Sequence, residues 1–373
     1  MSRKKSVAGS RWSTLTRIAR YSAFRLAALI FTAATGVFLT IIIANMGGHL
    51  DDIRKARIED EATQQMMMDP ETQMMPDTDR REIIEQMVQT EIRRQGLDRP
   101  FWQRLPGDLW SAVRLDLGRA RDMTSPSHSR EVSRIIIEHL PATLLLFATA
   151  NFMVFFAALG LALILSRRYG SLADRAVIAM APSSAAPGWF YGIFLILIFA
   201  YLVPDWMRLP DGGMVGDRVP EGTLAYAGTV LKHMILPVGA MFLSAIFISI
   251  YKWRTFFLIH SSEDYVEMAK AKGLSSRAIE RRYILRPTLP PIVTSFALML
   301  IALWSGAIIL ERVFNWPGLG TALYSAIQHQ ETNVIVGLVV VFAYLLAVTV
   351  FLLDIVYALL DPRVKLGEGG GRQ

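Results

Sequence analysis

Leu140–Ser166 reads LPATLLLFATANFMVFFAALGLALILS, a run of 27 residues with no Asp, Glu, Lys or Arg. A helix crosses the hydrocarbon core of a bilayer in about 20 apolar residues, with a range of roughly 17–25. Lipid offers backbone amides no partner, so a run of this kind crosses as a helix. Five more uncharged runs follow the same logic: Leu26–Met46, Ala176–Pro204, Met234–Tyr251, Pro287–Leu310 and Asn333–Leu353. Together they predict an all-α integral membrane protein with six transmembrane helices. The first run is too long for a signal-peptide core and lacks a clear small-residue cleavage site, which predicts a retained span. The 373 residues are 53% apolar and 19% charged. That balance is too greasy for an ordinary soluble domain and too charged for a chain wholly in lipid. There is no cysteine, which excludes a disulfide framework, a thiolate metal site and a cysteine nucleophile.

Charge sets the expected orientation. Six spans put both termini on one side, together with the turn at 166–175 and the segment at 252–291. These stretches hold 21 Lys and Arg against 7 Asp and Glu, whereas 46–140, 204–230 and 311–333 hold 17 against 24. Short basic loops stay cytoplasmic. Both termini and the 252–291 segment are therefore expected in the cytoplasm. The net charge of +7 then reflects topology, and no nucleic-acid partner is expected.

Between the fourth and fifth runs lies EDYVEMAKAKGLSSRAIERRYILRPTLPP, Glu263–Pro291. Ser261 or Ser262 is placed to cap a helix whose first turn carries Glu263 and Asp264 and whose last turn carries Lys270 and Lys272, as the helix dipole favours. Gly273 follows as the expected left-handed residue, with Leu274 folding back onto Ala269. Ser275 and Ser276 offer a second cap for a helix over Arg277–Arg286, which Pro287 stops or hands to the next span. Two short helices at a glycine bend, fixed between spans, form a lever. The small side chains of Ala269 and Ala271 would let a partner approach closely. The same pattern also fits a basic helix pair lying on anionic lipid.

Glu267-Met268-Ala269, three residues, then Gly273 resembles the EAA-x-x-x-G loop of binding-protein-dependent ABC importer permeases, with Met268 where alanine is usual. Tyr265-Val266 through Leu274, with Leu289-Pro290 at a longer spacing, is similar to the oligopeptide/dipeptide permease branch. Four other stretches share the likeness: GLDRPFWQRLPGDLWSAVRLDLG at Gly96–Gly118, LPATLLL at Leu140–Leu146, LERVFNWPGLG at Leu310–Gly320 and LLDIVYALLDPRVKLG at Leu352–Gly367. The resemblance implies a permease subunit that forms half of a translocation path for di- or oligopeptides, or for a similar solute such as nickel, glutathione or an oligosaccharide. It implies a cytoplasmic coupling-helix loop at 261–290 that docks on an ATPase through Tyr265, Glu267, Ala269, Ala271, Gly273 and Leu274. Pro287, Leu289 and Pro290 would form the hinge from loop to span. The implied partners are a second, homologous permease, two cytoplasmic ATPase subunits carrying ATP and magnesium, and an external solute-binding protein, in the lipid of a bacterial inner membrane. The chain itself has no G-x-x-x-x-G-K-[ST] phosphate cradle, so no cofactor and no enzymatic activity are expected on it. The glycines of Trp316–Gly320 read as a turn.

The remaining stretches divide as 1–46 (amino terminus and first span), 47–139 (a long external insert), 140–360 (five further spans) and 361–373 (a cytoplasmic tail). Within the insert, Asp79 is placed to cap a helix with Glu82 reaching back. Ile83, Ile84, Met87, Val88 and Ile92 form an apolar stripe, and Gly96 closes it. Met66–Met68, Met74 and Met75 read as adaptable packing surface rather than a soft-metal site. The histidines are scattered at loop or span ends. Asn151, Trp304 and Ser305 are candidates to line the path or to pack between helices. Asp354, the most embedded acid, is expected to act at a helix end. An ion-gradient-driven carrier would place carboxylates near the midplane, where the six uncharged runs have none; a non-transporting scaffold is the other alternative.

Overall fold

The computed structural model describes residues 23–25, 27–43, 49–68, 75–216, 219–303 and 307–360. The helices in chain order begin with α1 Ala23–Ile43, α2 His49–Met68, α3 Asp77–Arg94, α4 Phe101–Val113 and α5 Val132–Arg167. They continue with α6 Leu172–Met180, α7 Gly188–Ile196, α8 Thr223–Ser261, α9 Asp264–Ala271 and α10 Ser276–Ile279. The last four are α11 Arg286–Ala302, α12 Ile308–Val313, α13 Leu319–Gln328 and α14 Thr332–Leu360. Residues 1–119 and 333–373 form one compact unit and 120–332 another. This grouping follows space rather than chain order, so the first and last spans fall in the same unit.

In the first unit, α1 and α14 pack side by side through Val37, Ile41 and Val340, and α4 adds Leu105 and Ala112. The Tyr344 hydroxyl donates to the Val113 carbonyl at 2.8 Å and stops α4. Arg25 pairs with Asp354, which lies inside α14 and not at its end. Residue 25 lies opposite 354 while 37 and 41 lie near 340, so the two spans run antiparallel. In the insert, α2 buries Ile58, Ala62 and Met66 toward α3. The α3 helix begins at Asp77 after Pro76, with no side-chain cap. Asp79 therefore lies inside the first turn and is not the cap that the sequence led us to expect. A proline carrying the extended φ/ψ of a cap position starts the helix three residues earlier. Gly96 closes α3 as expected, at φ +68. Its N–H bonds Arg93 and that of Leu97 bonds Ile92, the paired closure of a left-handed helix end.

In the second unit, α5 and α8 are 36 and 39 residues long, roughly 54 and 58 Å at about 1.5 Å per residue. Both outrun the bilayer, and they pack along much of their length. One core lies around Leu146, Met234, Leu310 and Trp316; a second lies around Phe155, Ala158, Ile250 and Ile292. Glu331 is buried and accepts from the N–H groups of Arg121, Asp122 and Met123 at 2.8, 2.6 and 3.2 Å. That single carboxylate pins the chain before α5 to the end of α13.

Five helices are long and apolar enough to span, and Leu172–Ala185 with Gly188–Leu202 makes a candidate sixth, bent by 98° at its break. The pair counts as one crossing if it is a broken span and as none if it is a re-entrant loop, which makes five or six candidate spans. The sequence reading took Ala176–Pro204 as one straight helix; Pro182 and Pro187, which lack an N–H, break it.

Candidate functional site

The segment between α8 and α11 is a hairpin, and its local chemistry explains each corner. The α8 helix continues through Ser261, with Ser262 as its last cap. The hydroxyls of Ser261 and Ser262 donate back to the carbonyls of Leu258 and Ile259 at 2.8 and 2.9 Å. Neither serine caps α9, correcting the sequence expectation; they close the helix before it, and Glu263 takes the cap position with no side-chain bond. At the far end of α9, Gly273 has φ +74. Its N–H reaches Lys270 at 2.9 Å and the N–H of Leu274 reaches Ala269 at 3.3 Å. Ser275 then accepts from the Ala278 N–H, and α10 begins.

The second helix does not stop at Pro287. It widens into a π-helical turn over Glu280–Leu285 and runs straight into α11. Pro287 sits in the first turn of α11, where its missing N–H is tolerated, and Pro290 and Pro291 lie inside the helix. The expected hinge is thus a continuous, partly re-bonded helix, with Leu289 exposed on its surface. The Thr288 and Thr294 hydroxyls bond the carbonyls of Leu285 and Pro290 at 3.0 Å.

Val266, Ala269 and Ile279 form the hairpin's own core, with Tyr265, Leu274, Tyr283 and Ile284 packed on it. Burial raises the Tyr265 hydroxyl above its ordinary pKa, with Glu263 adding to the effect. Ala269 is 2% exposed. Its small side chain serves close packing within the hairpin. Glu267, Met268, Lys270, Ala271 and Gly273 face outward. Ile284 also packs on the second core around Phe155 and Ile250, so the hairpin is rooted in the spans by shared side chains.

Two ion pairs flank this root. Arg254 near the hairpin end of α8 pairs with Asp174 of α6, their side chains 6% and 1% exposed. Asp174 also accepts from the Gly170 N–H at 2.8 Å, while its own N–H bonds the Ser171 hydroxyl. The Arg254 guanidinium lies 5.2 Å from the Tyr169 ring. Arg167, the last residue of α5, pairs with Glu280, the first of the π-turn, at 57% and 15% exposure. Removing one partner of a fully buried pair costs about 3–5 kcal/mol. An exposed pair contributes about 0–1 kcal/mol. The first pair is buried at both ends and the second only at Glu280.

A separate cavity of about 240 Å3 opens at the break of the bent span, lined by Asn151, Pro187, Trp189, Met241, Ser244 and Leu310 among others. Asn151 donates to the Phe147 carbonyl at 2.8 Å. Trp304 and Ser305 lie outside the described residues. His139, His233, His260 and His329 each set Nδ1 2.7–3.0 Å from the carbonyl one turn back. Among the described residues no group of His, Asp or Glu is arranged for a metal.

The turn at Trp316–Gly320 is organised by a residue that the sequence reading passed over. Glu311 is fully buried. It accepts from the Thr143 hydroxyl at 2.9 Å and the Thr321 N–H at 3.0 Å, and Thr143 accepts from the Leu319 N–H at 2.7 Å. The Trp316 indole N–H donates to Ala142 at 2.8 Å. Burial raises the Glu311 carboxyl above its ordinary 4.5, against the lowering effect of the Thr321, Thr143 and Gly320 donors. The folded state therefore holds this proton more tightly than the unfolded chain. The site's contribution to stability is fully present below the ordinary value and is lost as pH rises through the raised one. The stability of the wild type minus that of Glu311→Gln, measured by unfolding in detergent across this range, should fall with rising pH. A difference independent of pH would contradict this protonation.

Residues 158–366 match the family described as the binding-protein-dependent transport system inner membrane component. The chain is 28% identical over 290 residues to the dipeptide transport system permease protein DppB of Escherichia coli strain K12, covering 72% of this chain and 83% of that one. It is 29% identical over 302 residues to the di/tripeptide transport system permease protein DppB of Pseudomonas aeruginosa, covering 76% and 87%. Over 309 residues it is 26% identical to the oligopeptide transport system permease protein AppB of Bacillus subtilis, covering 80% and 88%.

Proposed function

The chain belongs to the family of binding-protein-dependent transport system inner membrane components, and from that premise we propose that it forms half of a peptide path that opens to alternate sides of the membrane. It is the permease subunit of an ABC importer. A second permease completes the path, two ATPase subunits drive it from the cytoplasm, and an external binding protein delivers di- or oligopeptides. The relatives whose names specify dipeptides, di/tripeptides or oligopeptides support this substrate class over nickel, glutathione or oligosaccharides. Both termini lie in the cytoplasm, as the charge balance of the short loops supports.

The observation that carries the reading is the hairpin at 261–290. Its outward face of Glu267, Met268, Lys270, Ala271 and Gly273 is the surface offered to the ATPase. Tyr265, Ala269 and Leu274 hold that face in shape from within. Moving a two-state equilibrium from 1:99 to 99:1 takes about 5.5 kcal/mol of differential binding, and this energy enters through the hairpin. The cavity beside Asn151 lies at a broken helix, where transporter sites commonly form, and is the candidate stretch of the path. Reconstitution with the partner subunits in proteoliposomes tests the proposal. ATP-dependent uptake of a labelled dipeptide is expected; uptake that follows an ion gradient without ATP overturns it.

Gly273→Val strains the bend, because a left-handed backbone costs an L-residue about 1–2 kcal/mol and a β-branched one more. No atom crowds the site, so the strain is purely local. The variant is expected to insert normally and to import less peptide for each ATP hydrolysed. Wild-type stoichiometry would count against the lever.

A further inference from the structure

We propose that the Arg167–Glu280 pair is a releasable joint through which the hairpin moves α5, working against a block held rigid by Asp174 and Arg254. The inference rests on the hairpin's reading as the docking element.

Glu280 directly follows Ile279 of the hairpin core and opens the π-turn that leads into α11. π-turns inside α-helices recur at functional positions. Its partner Arg167 ends α5, a helix whose first half carries Thr143 and with it the Glu311 turn. A shift at Glu280 is thus applied directly to a helix that reaches the opposite side of the membrane. The neighbouring joint is of a different kind. Asp174 holds Arg254 twice, holds the Gly170 N–H, and is tied to Ser171. The turn at 170–174, the start of α6 and the hairpin end of α8 therefore move as one block. Arg167 lies just before that block with its side chain 57% exposed, while that of Glu280 is 15% exposed, so one end of the pair stands in water and the other is largely covered. The contrast in burial assigns the two pairs different duties: one never opens during the cycle, and the other opens in one of its two states.

The test uses the full transporter in proteoliposomes with a labelled dipeptide. Arg167→Glu and Glu280→Arg should each lower peptide imported per ATP hydrolysed by about fivefold or more, with ATP hydrolysis and the melting temperature retained. The two together restore the pair with its charges exchanged and should recover the ratio to within about twofold. Wild-type coupling in the single variants, or a parallel loss of melting temperature and transport, would overturn the joint. So would failure of the exchanged pair to recover coupling. Because the chain has no cysteine, Arg167→Cys with Glu280→Cys gives a second, independent arm. Bridging them with a short, reducible thiol cross-linker should arrest uptake, and reduction should restore it. Undiminished uptake after complete bridging would show that the joint never opens. If the ATPase subunits fail to co-purify with the wild type, the docking reading falls and the joint with it. If they co-purify and coupling is unaffected in the single variants, only the joint falls.

Discussion

Replacing Asp174 by alanine is expected to destabilise the protein by about 3–5 kcal/mol, the cost of leaving a buried charge without its partner. The side chain removed is 1% exposed, and the Arg254 guanidinium left behind is 6% exposed. The loss does not stop at the ion pair. Gly170 loses the acceptor of its N–H, and the reciprocal cap at Ser171 is left half-made. The paired replacement Asp174→Leu with Arg254→Met removes both charges and should regain most of the stability, as buried pairs commonly do when exchanged for apolar groups of similar size. Equilibrium unfolding in mixed micelles measures both. A loss below about 1 kcal/mol for the single variant, the value of an exposed pair, would mean that water reaches Arg254 and that the block is not rigid.

The second large effect is expected at Gly318. A Cβ there would collide with the carboxylate of Glu311 and the hydroxyl of Thr143. Neither atom has room to yield, because the first bonds Thr321 and the second bonds Leu319. The backbone of Gly318 is extended, at φ −103, so the requirement for glycine is steric and not conformational. Overpacking costs about 1–3 kcal/mol, and a hydrogen bond lost in the interior adds a similar amount. Gly318→Ala should therefore lose about 3 kcal/mol or more. Gly228→Ala is the control, since nothing lies within 4 Å of its Cβ and alanine favours the interior of a helix. Equal melting temperatures for the two variants would sink this account of the turn.

The parts legible in the sequence are those whose physics is local. Uncharged runs located all six candidate spans, although the helices extend well past them. Leu140 stands eight residues inside α5 and Met234 eleven inside α8, because backbone bonding continues after the hydrocarbon ends. The bends at Gly96 and Gly273 were readable from a glycine after a polar, helix-forming run, and both have positive φ. The break in the third span was signalled by Pro182 and Pro187 but was hidden by the length of the apolar run. The joints that lock the fold were not legible. Thr143 and Glu311 are 168 residues apart, Asp174 and Arg254 are 80, and Arg167 and Glu280 are 113. No local pattern announces a partner at such a remove. Ser171 and Asp174 form a Ser-x-x-Asp cap signature that the sequence reading did not take up. The mistaken serine caps at 261 and 262 have a related cause. A hydroxyl serves equally well at the end of one helix or the start of the next, and only the path of the chain decides.

The Arg25–Asp354 clasp joins positions 329 residues apart, and this constrains the order of assembly. During synthesis this contact cannot form until the closing helix has left the ribosome. Contacts of such long range form late. The amino-terminal strap is therefore expected to stay loosely held while the central bundle gathers, and to be fastened only by the last segment made. A chain halted before residue 354 would lack the clasp to Asp354.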